Sequence, residues 1–150
     1  GSLAAIVAVP GLVSNAFGAG FDVNATVTGL ALRGYDPVSY FKAGEPQAGD
    51  INLTADYKGA TYRFTTKENQ EAFQANPAKY APQYGGYCAF GVSVGKKFHG
   101  DPEVWRVVDG RLYLNLDAQI QDMWLKDVPG SIKTADAKWP KIINKAPSEL

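Results

Sequence analysis

The feature that most constrains the fold is an Asp-Gly pair set between two stretches rich in strand-forming residues. Residues 105–108 and 112–116 flank Asp109-Gly110. A two-residue connection of this kind requires backbone at positive φ, which aspartate and glycine tolerate, so it favours a tight antiparallel hairpin. The sequence therefore predicts a β-hairpin here, and any fold of the chain has to contain it.

Two more segments are predicted to be extended. Residues 53–57 and 60–64 alternate apolar and polar side chains about Lys58-Gly59, which predicts a second hairpin. Residues 21–34 begin with the same alternation and are also predicted to be extended. Between them, Tyr35-Asp36-Pro37 predicts a turn, because proline fixes its own φ and disfavours helix in the residue before it.

Capping signals predict the helices. Thr65 and Glu68 have the spacing of a capping box and predict a helix that ends near residues 76–77. Asp117 is predicted to cap a helix whose apolar face carries Met123, and Ser131 to start a last helix that is kinked or ended at Pro140. Two hairpins alternating with short helices predict an α+β domain, with the helices packed on a small antiparallel sheet.

The first twenty residues differ from the rest of the chain. Gly1-Ser2 resembles a tag remnant, residues 3–13 are almost wholly apolar, and residues 14–20 are mostly small. The apolar run is shorter than the ~20 residues that span a bilayer, and it suits the apolar region of a secretory signal. We expect residues 1–20 to be a tag remnant with part of a signal peptide or another apolar segment, and 21–150 to be one domain. The protein is then periplasmic or secreted, and touches a membrane only through an uncleaved N-terminal segment. The alternative is a buried N-terminal element.

Charge and cysteine content exclude several functions. The chain has 15 basic and 15 acidic residues, and its longest basic run is Lys96-Lys97. Because proteins that bind nucleic acid need a basic face, no nucleic-acid partner is expected. The single cysteine, Cys88, excludes an internal disulfide and a zinc site built from several thiolates.

Five phrases occur in an order that is specific when taken together. They are GYDPVSYF at 34–41, YKGATYRF at 57–64, FQANPAKY at 73–80, YGGYCA at 84–89 and DGRLYLN at 109–115. From about residue 30 to residue 140 the chain thus resembles exported bacterial YHS-domain proteins. The resemblance implies a small α+β domain and an association with copper or other heavy metals.

The chain departs from this family at its metal-binding positions. Metal-associated YHS sequences usually have cysteines where this chain has Ser39, Thr65 and Asn69. Hydroxyl and amide groups are poor ligands for soft metals, since they lack the charge and polarisability of a thiolate. We therefore expect these three side chains to lie together as an uncharged polar cluster without metal.

Elimination leaves Cys88 as the anchoring ligand if the chain binds a soft metal such as Cu(I), with His99 as a second ligand. Two chains could also share one ion through their cysteines, which would couple binding to dimerisation. The simpler interpretations are a buried cysteine that packs as a small apolar group and a solvated histidine. No catalytic residues are predicted.

The preferred hypothesis is a non-catalytic, exported YHS-like binding domain for a soft metal, copper foremost, or for a small molecule. A small ligand would be held by a tyrosine-rich surface. The candidate pocket residues are Tyr35, Asp36, Tyr40, Tyr84 and Tyr87. The first alternative is a thiol-dependent redox enzyme, which would need Cys88 to be exposed with a lowered pKa. The second is a structural or partner-binding module.

Overall fold

The structure is a computed structural model that describes residues 20–150. The predicted signal-like segment lies, apart from Gly20, outside the described residues. The prediction of an α+β fold is confirmed. The strands are β1 (Asp50–Tyr57), β2 (Ala60–Phe64), β3 (Asp101–Val108) and β4 (Arg111–Asn115).

The helices are distributed around the two hairpins. They are α1 (Ser39–Lys42), α2 (Lys67–Ala75), α3 (Pro77–Tyr80), α4 (Ala89–Ser93), α5 (Ala118–Leu125) and α6 (Val128–Ile142). Short 3-10 turns occupy Leu32–Gly34, Gln83–Gly86 and Pro147–Glu149. Within residues 20–150, no helix combines the length and apolar character needed to cross a membrane.

Both predicted hairpins are present, and the backbone conformation of their turns shows why they form. Lys58 and Gly59 have φ of 52° and 78°, and Asp109 and Gly110 have φ of 51° and 75°. Positive φ at both central residues gives the twist that suits antiparallel strands. Among the described residues the hairpins form two separate two-stranded sheets rather than one sheet.

The segment before the first helix is not a strand, contrary to the prediction for residues 21–34. Gly29, at φ 87°, lets the chain reverse, and Leu30 O accepts a hydrogen bond from Thr26 N at 2.9 Å. Ala31 then forms only an isolated bridge with Ala25. Val27 is 95% exposed. Although Val27 continues the apolar alternation of the sequence, it lies in a turn and packs against little of the protein.

Helix α2 is capped by the neighbour of the predicted residue. Thr66, rather than Thr65, accepts a hydrogen bond from Asn69 N at 3.1 Å through its side chain. Asp117 caps α5 as predicted, by accepting from Ile120 N at 2.9 Å. Met123 is 47% exposed, so the prediction that it packs in the core is wrong.

The last helix starts earlier than predicted. Asp127 accepts a hydrogen bond from Gly130 N at 3.0 Å and caps α6, so the helix begins at Val128 and not at Ser131. Pro129 fits in the first turn because no intrahelical donor is needed there. The helix continues past Pro140 to Ile142.

Two aromatic clusters form the core. In the first, the Phe73 ring lies 4.9 Å from the Tyr62 ring and 5.1 Å from the Phe64 ring, which joins α2 to the first hairpin. In the second, the buried Trp124 ring lies 5.5 Å from the Tyr113 ring and joins α5 to β4. Residues of both clusters line a cleft that is described below.

A buried lysine forms hydrogen bonds to segments near both ends of the described chain. The Lys97 ammonium donates to the carbonyls of Phe21, Ile143 and Lys145 at 2.7, 2.8 and 2.8 Å. It also lies 5.1 Å from the ring centres of both Tyr87 and Trp139. Burial lowers the pKa of Lys97 to about 8.

Candidate functional site

Asp36 is a fully buried carboxylate whose oxygens are all occupied. One oxygen accepts a hydrogen bond from Val38 N at 2.8 Å. The other accepts from Thr65 N at 2.8 Å, from Thr65 Oγ1 at 2.9 Å and from Asn69 Nδ2 at 2.8 Å. Four donors compensate the cost of burying this charge. Asp36 was a candidate for the ligand pocket, but it instead holds the fold together.

Ser39, Thr65 and Asn69, which were predicted to lie together, all bond to Asp36. Ser39 Oγ donates to the Asp36 carbonyl at 2.6 Å and accepts from Gln47 N at 3.0 Å. Asn69 Nδ2 also lies 3.2 Å from Thr65 Oγ1. The cluster is not uncharged, however, because the Asp36 carboxylate is at its centre. The side chains of Thr65 and Asn69 serve as hydrogen-bond donors to that carboxylate, and that of Ser39 donates to the Asp36 backbone.

Cys88 is completely buried at the start of α4. Its sulfur accepts a hydrogen bond from Gly91 N at 3.4 Å and donates to Asn115 Oδ1 at 3.5 Å. Burial raises the pKa of the thiol and outweighs the nearby backbone amides that lower it. A reactive thiol requires solvent access and a lowered pKa, and Cys88 has neither.

His99 lies in a different environment from Cys88. Its imidazole is exposed, with Nδ1 2.7 Å from Asn24 Oδ1. The backbones of the two residues are adjacent, since Cys88 N donates to Phe98 O at 2.9 Å, but the sulfur is buried, the imidazole is exposed, and each has its own hydrogen-bond partner. No group of three or more His, Cys, Asp or Glu side chains within residues 20–150 is placed to hold a metal ion. Binding of copper through Cys88 and His99 stays a prediction.

The burial of Cys88 predicts how fast its thiol reacts with a reagent in solution. Native protein is expected to react with Ellman's reagent at least about 100-fold more slowly than protein unfolded in urea, because the sulfur becomes accessible only when the fold opens. The release of thionitrobenzoate measures both rates, and free cysteine in the same urea concentrations is the control. Similar rates in native and unfolded protein would restore the thiol-enzyme hypothesis.

Two of the candidate tyrosines, Tyr40 and Tyr35, make structural contacts, and the other two line separate clefts. Tyr40 is buried and donates to the Pro102 carbonyl at 2.7 Å. Tyr35 pairs through its backbone with Ala48. Tyr87 is opposite His99 in an isolated bridge, and both line a shallow cleft of about 340 Å³. Tyr84 belongs to a separate cleft between the two aromatic clusters.

This Tyr84 cleft encloses about 360 Å³ between the first hairpin, the Gln83–Gly86 turn and α6. Four aromatic side chains line it, namely those of Tyr57, Tyr62, Tyr84 and Trp139. Its charged lining residues are Asp22, Lys58 and Asp136. The volume is at the lower end of the range for small-molecule sites, and the mixture of rings with few polar groups is typical of them.

The backbone that presents Tyr84 is unusual. Tyr84, Gly85 and Gly86 have φ of 57°, 62° and 86°, three successive left-handed residues of which the first is not glycine. Such a conformation costs about 1–3 kcal/mol in a residue other than glycine, asparagine or aspartate, and it is enriched at binding sites. Glycine is required at 85, because a side chain there would collide with the Asp22 backbone.

The polar contact in the cleft is between Tyr84 and α6. The Tyr84 hydroxyl donates to Asp136 Oδ1 at 2.9 Å, and the Tyr84 ring lies 5.9 Å from the Trp139 ring. Burial raises the pKa of Tyr84, and the hydrogen bond to Asp136 and its charge raise it further, so the phenol is neutral at physiological pH. The arrangement offers aromatic surface beside an oriented carboxylate.

Sequence reasoning missed most of this cleft. Asp22, Lys58 and Asp136 were not singled out, because they lie more than thirty residues apart in the sequence and share no motif. The available signal was the Gly85-Gly86 pair after Tyr84, which indicates backbone that only glycine adopts easily.

Comparisons of the chain with protein-family models, with curated proteins and with solved structures found no match.

Proposed function

We propose that this protein is an exported, non-catalytic, YHS-like binding domain that holds a small organic molecule in the Tyr84 cleft. The observation that carries the proposal is the strained Tyr84, whose hydroxyl is fixed on Asp136 in a cleft with aromatic walls. Export and the relation to YHS proteins rest on the sequence phrases and the apolar N-terminal run.

The other candidate positions are less suited to a ligand. Asp36 has four internal donors, and the Cys88 sulfur is buried against Asn115 and Gly91. Neither group can reach a solute without rearrangement of the core. The Tyr84 cleft, by contrast, is open to solvent and has polar groups that are already oriented, which lowers the entropic cost of binding.

A binding role also suits the chemistry of the cleft better than catalysis does. A general base or nucleophile needs a proton affinity matched to neutral pH. The pKa of Tyr84 is raised well above that range by burial, and its hydroxyl is engaged by Asp136. An oriented but unreactive phenol recognises a ligand instead of transforming it.

An NMR fragment screen tests the proposal. Small organic molecules are expected to shift the Trp139 indole N–H and the backbone amides of residues 84–86 in ¹⁵N-labelled protein. The affinity of the best fragment should fall about tenfold in Tyr84→Phe, which loses one oriented hydroxyl. Tyr35→Phe, outside the cleft, is the matched control and should bind as the wild type does. A screen in which no fragment shifts these resonances would overturn the proposal.

A further inference from the structure

Resting on that proposed function, we infer that the ligand of the Tyr84 cleft is a small quaternary ammonium cation. Two carboxylates, Asp22 and Asp136, line the cleft, and Lys58 is its one lining cation among the described residues. Within residues 20–150, neither carboxylate forms an ion pair with a lysine or arginine. The lining therefore carries a net negative charge.

The cations near the cleft offset part of this charge. The Lys97 ammonium, bonded to three carbonyls, lies 5.1 Å from the centre of the Trp139 ring and, although burial has the larger effect and lowers its pKa, close enough to Asp22 for that carboxylate to raise its pKa. Of the two lining carboxylates, Asp22 is therefore the partly compensated one. Arg111, close enough to lower the pKa of Tyr84, is exposed, so water and salt screen it. Asp22 is close enough to raise the pKa of Tyr62, after the larger effect of burial. Its field thus reaches the cleft wall.

The aromatic walls favour the same class of ligand. Tyr57 and Trp139 are half-buried cleft residues, and the face of an aromatic ring attracts a cation. The cleft already contains one such contact between a cation and a ring, because the Lys58 ammonium lies 5.5 Å from the centre of the Tyr57 ring. Lys58 is exposed in a turn and is displaceable, so it acts as an intramolecular competitor for a cationic ligand.

Size and charge together limit the ligand. About 360 Å³ accommodates a compact quaternary ammonium ion. A carboxylate paired with aromatic rings recognises a cation by its charge and by its apolar surface together. An uncharged molecule of the same shape keeps only the second contribution.

The test compares choline with 3,3-dimethylbutan-1-ol, its uncharged isostere, and with tetramethylammonium and benzyltrimethylammonium chloride. At least one cation is expected to shift the Trp139 indole and residue 84–86 resonances, with choline at least about tenfold tighter than the isostere. Asp136→Asn, which keeps an oxygen to accept from Tyr84, should weaken binding of the cations about fivefold.

A second variant is expected to act in the opposite direction. Lys58→Asn removes the internal competitor, and asparagine before Gly59 suits a turn with positive φ. Affinity for the cations should rise about threefold, while affinity for the isostere stays the same. Equal binding of choline and the isostere, or no shift from any of the three cations, would overturn the cation inference. The proposed small-molecule function would survive if uncharged fragments still shift the cleft resonances, and would fail with it if none does.

Discussion

Replacement of Asp36 by alanine is expected to lower the free energy of unfolding by about 4 kcal/mol. The change leaves four hydrogen-bond donors without their acceptor, two of them on half-buried Thr65 and two in the buried interior. An unsatisfied buried donor costs about 1–3 kcal/mol, and partial relaxation of the cluster reduces the sum. Urea denaturation followed by tryptophan fluorescence measures the effect.

Two further variants test whether the loss of stability in Asp36→Ala comes from the unpaired donors. Asp36→Asn keeps the shape of the side chain but places an amide NH2 group, itself a donor, against the donors of Thr65 and Asn69. A loss of about 3 kcal/mol in the free energy of unfolding is therefore expected. Asp56→Ala is the matched control, because exposed Asp56 accepts a single bond, from Thr61, and its loss should cost less than about 0.5 kcal/mol. A loss below about 1 kcal/mol in Asp36→Ala would show that the buried cluster does not hold the fold together.

The Asp36 cluster shows what Ser39, Thr65 and Asn69 do in this chain. Thr65 and Asn69 each direct a donor group at the carboxylate, and Ser39 donates to the Asp36 backbone. The bonds from Thr65 and Asn69 connect the turn before α1 to the start of α2, whereas the bond from Ser39 stays within the turn. A hydrogen-bonded carboxylate thus joins these two segments.

Local chemistry made much of the fold predictable. The Asp109-Gly110 turn and the Asp117 cap depend on residues within a few positions of one another, so the sequence contains all the information that they need. The cap of α2 was assigned to Thr65 instead of Thr66 because Thr65 has Glu68 three residues later, as a capping box requires, whereas Thr66 has Asn69. Only the contact with distant Asp36 decides between them.

The candidate site was less predictable, because it depends on long-range packing. Tyr84 was a candidate as one of the tyrosines of a predicted ligand-binding surface, and it does line a cleft. Its partner Asp136 is 52 positions away, and no periodicity or motif connects the two. Cys88 and His99 were paired by elimination, an argument about residue types that contains no geometry.

Buried tyrosines are expected to make the protein unfold steeply at alkaline pH. Burial raises the pKa of Tyr40, Tyr62 and Tyr84 far above the 10.0 expected in the unfolded chain. Above pH 10 the unfolded state therefore releases protons that the folded state keeps, so stability falls as the pH rises. Each group contributes about 1.4 kcal/mol per pH unit, and three contribute about 4. Since domains of this size have about 5–15 kcal/mol of stability, unfolding should occur within about one to four units above pH 10.

Lys97 has the opposite effect on the pH dependence of stability, and in a lower pH range. Its pKa is lowered from 10.5 to about 8 by burial, so stability should rise between these values, by at most about 1.4 kcal/mol per unit, and stay constant above them. One lysine cannot offset three tyrosines above pH 10. Urea denaturation from pH 7 to strongly alkaline pH, with tyrosinate absorbance recorded in parallel, measures both effects. Lys97→Met should abolish the rise and keep the fall, whereas tyrosinate absorbance that develops fully near pH 10 in protein that is still folded would contradict the burial of these phenols.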